Sequence, residues 1–133
     1  PDFAPTVAPN GARIAYLGYG DRLKSYQQND VYLMTPDGSG VQNLTADFDR
    51  SVDAIAWRAD GRALIGQVEM DGDLTLVSID LTGNVRKLVG DIGGTSLGRP
   101  YAAGSFSVAS QTGGRSRYFT TLPPCTPESR RYK

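Results

Sequence analysis

The sequence predicts an all-β chain of two four-stranded antiparallel units and the start of a third. One phrase occurs twice. Residues 54–66 carry Ile55 and Trp57 two apart, then Asp60-Gly61, then Leu64-Ile65. Residues 6–16 carry Val7, then Asn10-Gly11, then Ile14. Each reads as strand, tight turn, strand: alternate residues share a strand face, and Gly supplies the positive φ of the turn. A period near fifty residues is the sign of a repeat array. The units also close alike, Val41-Gln42-Asn43-Leu44-Thr45 against Val85-Arg86-Lys87-Leu88-Val89. No segment sustains a 3.6-residue apolar period, so helix should be nearly absent.

The elements follow in order. Residues 3–8 and 12–17 are the first two expected strands, the second apolar on both faces, as in a sheet buried on both sides. A polar loop, 18–29, leads to a third strand at 30–35. Pro36-Asp37-Gly38-Ser39-Gly40 turns the chain into a fourth, 41–44. The second unit repeats this with strands at 53–57, 62–68, 74–81 and 85–89, and a loop about six residues shorter in place of 18–29. A third unit begins with strands at 106–109 and 115–121, the latter carrying Tyr118 and Phe119. Residues 122–133, with three prolines and four charges, exclude a central strand. That tail is expected to be extended or disordered.

Four-stranded antiparallel units at this period fit the blades of a β-propeller. The expected organisation is a partial propeller over 1–121: blade 1 at about 3–45, blade 2 at about 53–89, and an incomplete blade 3 at about 102–121.

Composition narrows the function. The chain has 133 residues, 39% hydrophobic and 21% charged, as in a globular domain. Residues 1–114 carry 9 Lys/Arg and 13 Asp/Glu, and residues 115–133 carry 5 Lys/Arg and 1 Glu. An acidic body argues against nucleic acid as a partner, because phosphate binding needs clustered cations. A single cysteine, Cys125, excludes an internal disulfide. No apolar run is long enough to span a bilayer. The chain opens Pro1-Asp2-Phe3, without an initiator Met or a secretory signal, and is expected to be excised from something longer.

Several ordered pieces carry a family resemblance. Ile14-Ala15-Tyr16-Leu17 leads through Ser25-Tyr26-Gln27 into Asn29-Asp30-Val31-Tyr32-Leu33-Met34. Leu44-Thr45 is followed by Asp49-Arg50-Ser51-Val52 and Ala56-Trp57, and Gly98-Arg99-Pro100-Tyr101 precedes Gly104-Ser105-Phe106-Ser107. This set, over roughly 3–121, resembles the N-terminal propeller of bacterial prolyl-oligopeptidase-type serine peptidases, of the acylaminoacyl- and dipeptidyl-peptidase kind. The blade phrase also resembles the periplasmic propeller protein of the Tol system. The first resemblance implies a propeller that gates and packs on a C-terminal hydrolase domain absent from this chain, with a peptide as the parent's substrate. The second implies a protein-binding scaffold. A soluble protein is expected, of the bacterial cytoplasm or periplasm, the sequence itself not setting the compartment.

The chain contains no histidine and no Gly-x-Ser-x-Gly elbow. A Ser-His-Asp relay needs an imidazole as general base, so this polypeptide alone should cleave nothing. No cofactor is expected. Asp71-Gly72-Asp73 and Asp47-Phe48-Asp49 offer oxygen donors but lack calcium-loop spacing, and Asp and Gly are ordinary turn residues.

The candidate contact residues lie in loops. Tyr19, Asp21, Arg22 and Tyr26 occupy a loop longer than closing a hairpin requires. Arg99 and Tyr101 form the second group. Propeller loops of the resembling peptidases help hold the substrate's end, and Arg suits a peptide carboxylate or carbonyl. The plainer alternatives are a solvated hairpin extension and an Arg that ties down a loop. Trp57 is a core residue by type. A chain with two full units and part of a third leaves apolar faces uncovered, so a homo-oligomer is expected, with residues 100–121 at its interface.

Overall fold

Turn chemistry and strand alternation place ten strands in a computed structural model that describes residues 2–20, 27–90, 92, 106–109 and 118–120. The first sheet comprises β1 (Asp2–Val7), β2 (Ile14–Gly18), β3 (Asp30–Met34) and β4 (Gln42–Asn43). The second comprises β5 (Val52–Trp57), β6 (Ala63–Met70), β7 (Asp73–Asp80) and β8 (Val85–Val89). Both run antiparallel in sequence order. The short strands β9 (Phe106–Val108) and β10 (Tyr118–Thr120) pair antiparallel with each other. No helix occurs among the described residues.

The repeated phrase builds the same turn twice. The Asn10 carboxamide oxygen accepts from the Ala12 amide at 3.0 Å, and the Asp60 carboxylate accepts from the Arg62 amide at 3.0 Å. Each chain reversal is closed by a pair of main-chain bonds, Ala8 to Arg13 and Gly11 to Ala8 in one, Arg58 to Ala63 and Gly61 to Arg58 in the other. Gly11 at φ +71° and Gly61 at φ +66° supply the left-handed residue. The β7–β8 turn answers the β3–β4 turn in the same way. Thr35 bonds Ser39 and Asp80 bonds Asn84 through the main chain. The β6–β7 hairpin uses two residues, Asp71 at φ +55° and Gly72 at φ +84°, both left-handed as a type I′ turn requires.

The fourth strand of the first sheet is shorter than its sequence reading, and the reason is Thr45. Its hydroxyl accepts the Val31 amide at 2.9 Å, while the Leu44 amide donates to the Val31 carbonyl at 2.8 Å. A side chain thus continues the pairing where the second sheet uses the main chain of Val89 opposite Leu76. Thr45 is fully buried as a result.

The sheets stack face to face. Ala15, Leu17, Val31 and Leu33 from the first sheet share one core with Trp57, Leu64, Val68, Val77 and Ile79 from the second. The Trp57 indole N–H crosses the junction and donates to the Thr6 carbonyl at 3.0 Å. Ile65, Leu74 and Leu76, on the other face of the second sheet, join Ile92, Phe106 and Val108 in a second core. The second sheet is therefore covered on both faces. The first is not: Ala15 and Leu17 are fully buried, but Ile14 and Tyr16 are only half-buried, because no described residues pack on that side. Double-sided burial, expected for the first sheet from the apolar run in β2, is met on only one of its faces among the described residues; it is the second sheet that is covered on both.

The described strands give two stacked sheets and a strand pair, and these do not close into a ring. The rest of the expected third unit and the 122–133 tail lie outside the described residues.

Candidate functional site

A concavity lies at the end of the sheets away from the Gly11 and Gly61 turns. It is an open cleft of about 640 Å³. Three segments build it: residues 27–29 leading into β3, the 49–51 crossing between the sheets with Asp53 of β5 beyond it, and the β6–β7 hairpin with Glu69, Asp71 and Gly72.

Its wall is held by hydrogen bonds between the first two segments. The Gln28 side chain donates to the Phe48 carbonyl at 2.7 Å and to the Asp30 carboxylate at 3.3 Å. The Asn29 amide donates to the Ser51 hydroxyl at 3.1 Å, and the Val52 amide donates to the Asn29 carbonyl at 3.0 Å. These bonds pin the base of the 18–29 loop to the sheet crossing.

The lining is rich in acceptors. Asp49, Asp53, Glu69 and Asp71 face one cation, Arg50, which lies 3.9 Å from Asp49 in an exposed and therefore weak pair. Loss of water around the Asp53 carboxyl raises its pKa above the ordinary 3.8, and the Glu69 carboxylate raises it further. Such a surface suits donor-rich or cationic groups. Among the described lining residues the one hydroxyl, Ser51, accepts from the Asn29 amide, and the chain has no histidine to serve it as a base. Among the described residues no three acidic or sulfur side chains are placed to hold a metal ion.

Of the residues singled out in the sequence, Tyr19 is half-buried just beyond β2. Asp21, Arg22, Tyr26, Arg99 and Tyr101 lie outside the described residues. The cleft is built in part by residues that sequence reading did not single out as contacts: Gln28, Asn29, Ser51, Asp53 and Glu69. Asp49 and Asp71 stood out only as possible oxygen donors in two separate runs. The fold brings those runs to one cleft.

No protein-family profile matches the chain. Over 77 residues, 57% of this chain, it is 32% identical to the probable dipeptidyl-peptidase 5 of Aspergillus flavus and to the dipeptidyl-peptidase 5 of Aspergillus oryzae, covering 10% of each. Over 64 residues it is 38% identical to the probable dipeptidyl-peptidase 5 of Arthroderma benhamiae, covering 46% of this chain and 8% of that one. The matched region spans about a tenth of the length of these curated relatives. The homology is weak and partial, and it is consistent with a peptidase-related segment of all-β structure.

Proposed function

We propose that this chain is a non-catalytic propeller segment of a prolyl-oligopeptidase-type serine peptidase. Its sheets are blades that pack beside a hydrolase domain and limit which peptides reach the catalytic serine. The observation that carries the reading is the local similarity to dipeptidyl-peptidases in a chain whose two sheets repeat the same strand order and stack face to face. The absence of histidine supports the division of labour, since the general base of a serine peptidase must then come from elsewhere.

The test is covalent labelling of the active serine. A fluorophosphonate should label the parent protein encoded by the surrounding reading frame and leave this chain unlabelled. A parent that is unlabelled and encodes neither a serine elbow nor a later histidine overturns the reading.

A further inference from the structure

Four Asp-Gly or Asn-Gly pairs occur in the chain, at 10–11, 37–38, 60–61 and 71–72. Such a pair can react with itself. The glycine amide nitrogen attacks the side-chain carbonyl carbon of the residue before it, and a glycine has no Cβ to shield that nitrogen. In three of the pairs the fold holds both reacting groups. The Gly11, Gly38 and Gly61 amides donate to the carbonyls of Ala8, Thr35 and Arg58 at 2.8 to 2.9 Å. The side chains are tied as well. Asn10 accepts from the Ala12 amide, Asp37 accepts from Thr35 and Ser39, and Asp60 accepts from the Arg62 amide while pairing with Arg58 at 2.9 Å. The fourth pair forms the tip of the β6–β7 hairpin. Among the described residues the Gly72 amide meets no acceptor and the Asp71 carboxyl no donor. Both residues are exposed. A Cβ on Gly72 would meet nothing within 4 Å, so the tip has room to rearrange. Asp71 is also held at φ +55°, a left-handed conformation that strains a residue with a Cβ.

We propose that Asp71-Gly72 is a site of spontaneous isomerisation to isoaspartate in the folded chain, and that their turns protect the other three pairs. The chemistry needs no enzyme and no co-reactant but water. The Gly72 nitrogen forms a bond to Asp71 Cγ, and the carboxyl hydroxyl leaves with the amide proton as water. A cyclic succinimide results. Water then adds to either ring carbonyl. Addition at Cγ restores aspartate. Addition at the Asp71 main-chain carbonyl carbon leaves the chain running through Cγ, with a free α-carboxylate and no net change in mass. The product alters the cleft, because Asp71 and Gly72 belong to its lining. An isoaspartyl link adds a methylene to the main chain, whereas a type I′ turn matches its strands only with both central residues left-handed and at their ordinary length. The tip must therefore reshape, and the carboxylate moves with it. One wall of the cleft is thereby set to change with the age of the protein. The inference rests on the hairpin alone and not on the peptidase reading.

The test is peptide mapping by mass spectrometry of the full chain aged in mildly acidic buffer. Electron-transfer fragmentation tells isoaspartate from aspartate, and the same chain unfolded in guanidinium is the reference. At position 71 the folded rate should stay within about twofold of the unfolded rate, and at 37 and 60 it should fall about tenfold or more, since those turns must open before they react. Asp71→Asn gives a second measurement. Asn-Gly suits a type I′ turn, so the variant should fold, and it places two Asn-Gly pairs in one molecule. Deamidation, read as the mass gained when ammonia leaves and water adds, should run about tenfold or more faster at 71 than at 10 in the folded variant, and nearly equally at both in the unfolded one. Isoaspartate that gathers at 37 or 60 as fast as at 71 overturns the proposal. So does a folded chain that keeps 71 unchanged while the unfolded chain converts it. So does a folded variant in which position 10 deamidates as fast as position 71.

Discussion

Trp57 joins the two sheets by both of its properties. Its ring fills the junction and its N–H satisfies the Thr6 carbonyl of the other sheet. Trp57→Ala should destabilise the chain by about 3–5 kcal/mol, the range for truncating a large buried aromatic. Trp57→Phe keeps most of the burial and loses the bond, so it should cost less, with about 0.5–1.5 kcal/mol from the hydrogen bond. Urea denaturation followed by circular dichroism measures both, since the fluorescent probe is itself removed. A second residue-scale contrast separates backbone strain from contact. Gly38 at φ +83° has open space where a Cβ would sit, whereas Gly83 at φ +95° would place a Cβ 2.9 Å from the Leu44 carbonyl oxygen of the first sheet. Gly38→Ala should cost about 1–2 kcal/mol from the left-handed conformation alone. Gly83→Ala should cost more, because a main-chain atom cannot step aside. Equal losses in urea melts would mean that the β7–β8 turn does not press on the first sheet.

At the scale of elements, two turns hold carboxylates whose pKa values are lowered by hydrogen bonds. In the β3–β4 turn the Asp37 carboxylate accepts from the Thr35 hydroxyl, the Ser39 hydroxyl at 2.8 Å and the Ser39 amide at 3.0 Å. These bonds, led by Thr35, hold its pKa at about 2 against the ordinary 3.8. In the β7–β8 turn Asp80 accepts from Thr82 and Asn84, with bonds of 2.7 to 3.0 Å, and its pKa falls further. A carboxylate depressed in the folded state stabilises above its unfolded value and loses that contribution as pH falls through the folded one. The double variant Asp37→Asn and Asp80→Asn should therefore be less stable at neutral pH, with a flatter melting temperature between about pH 4 and pH 2. Asp53 has the opposite sign. Its raised pKa makes the ionised form a burden above the unfolded value, so Asp53→Asn should raise the melting temperature at neutral pH and lose that gain in acid. The strands were legible in the sequence because alternation and Asp-Gly or Asn-Gly turns are local signals. Two details were not. Thr45 ends β4 by a side-chain bond across 14 residues, and the cleft joins residues as far apart as Gln28 and Glu69, which no local pattern links. The polar loop 18–29 drew attention by its length, and the structure shows its base, Gln28 and Asn29, as one wall of that cleft.

At the scale of the whole molecule, the question is what a peptidase-related stack of sheets can do alone. Serine peptidases activate a hydroxyl by transferring its proton to a base with a pKa near neutrality. This chain has no histidine. The cleft carboxylates do not replace it. Burial and Glu69 move Asp53 upward, and Ser51, the hydroxyl in the lining, accepts from the Asn29 amide. The cleft also opens broadly to solvent, where a carboxylate gains little as a base. The purified chain is expected to show no turnover of dipeptidyl or acyl-peptidyl chromogenic substrates at any pH from acid to alkaline. A contaminating peptidase would give a rate that falls away through successive chromatographic steps, whereas a rate intrinsic to this polypeptide would follow its concentration through every fraction. That second pattern, if also lost in a Ser51→Ala variant that still folds, would place chemistry in the cleft and refute the non-catalytic reading.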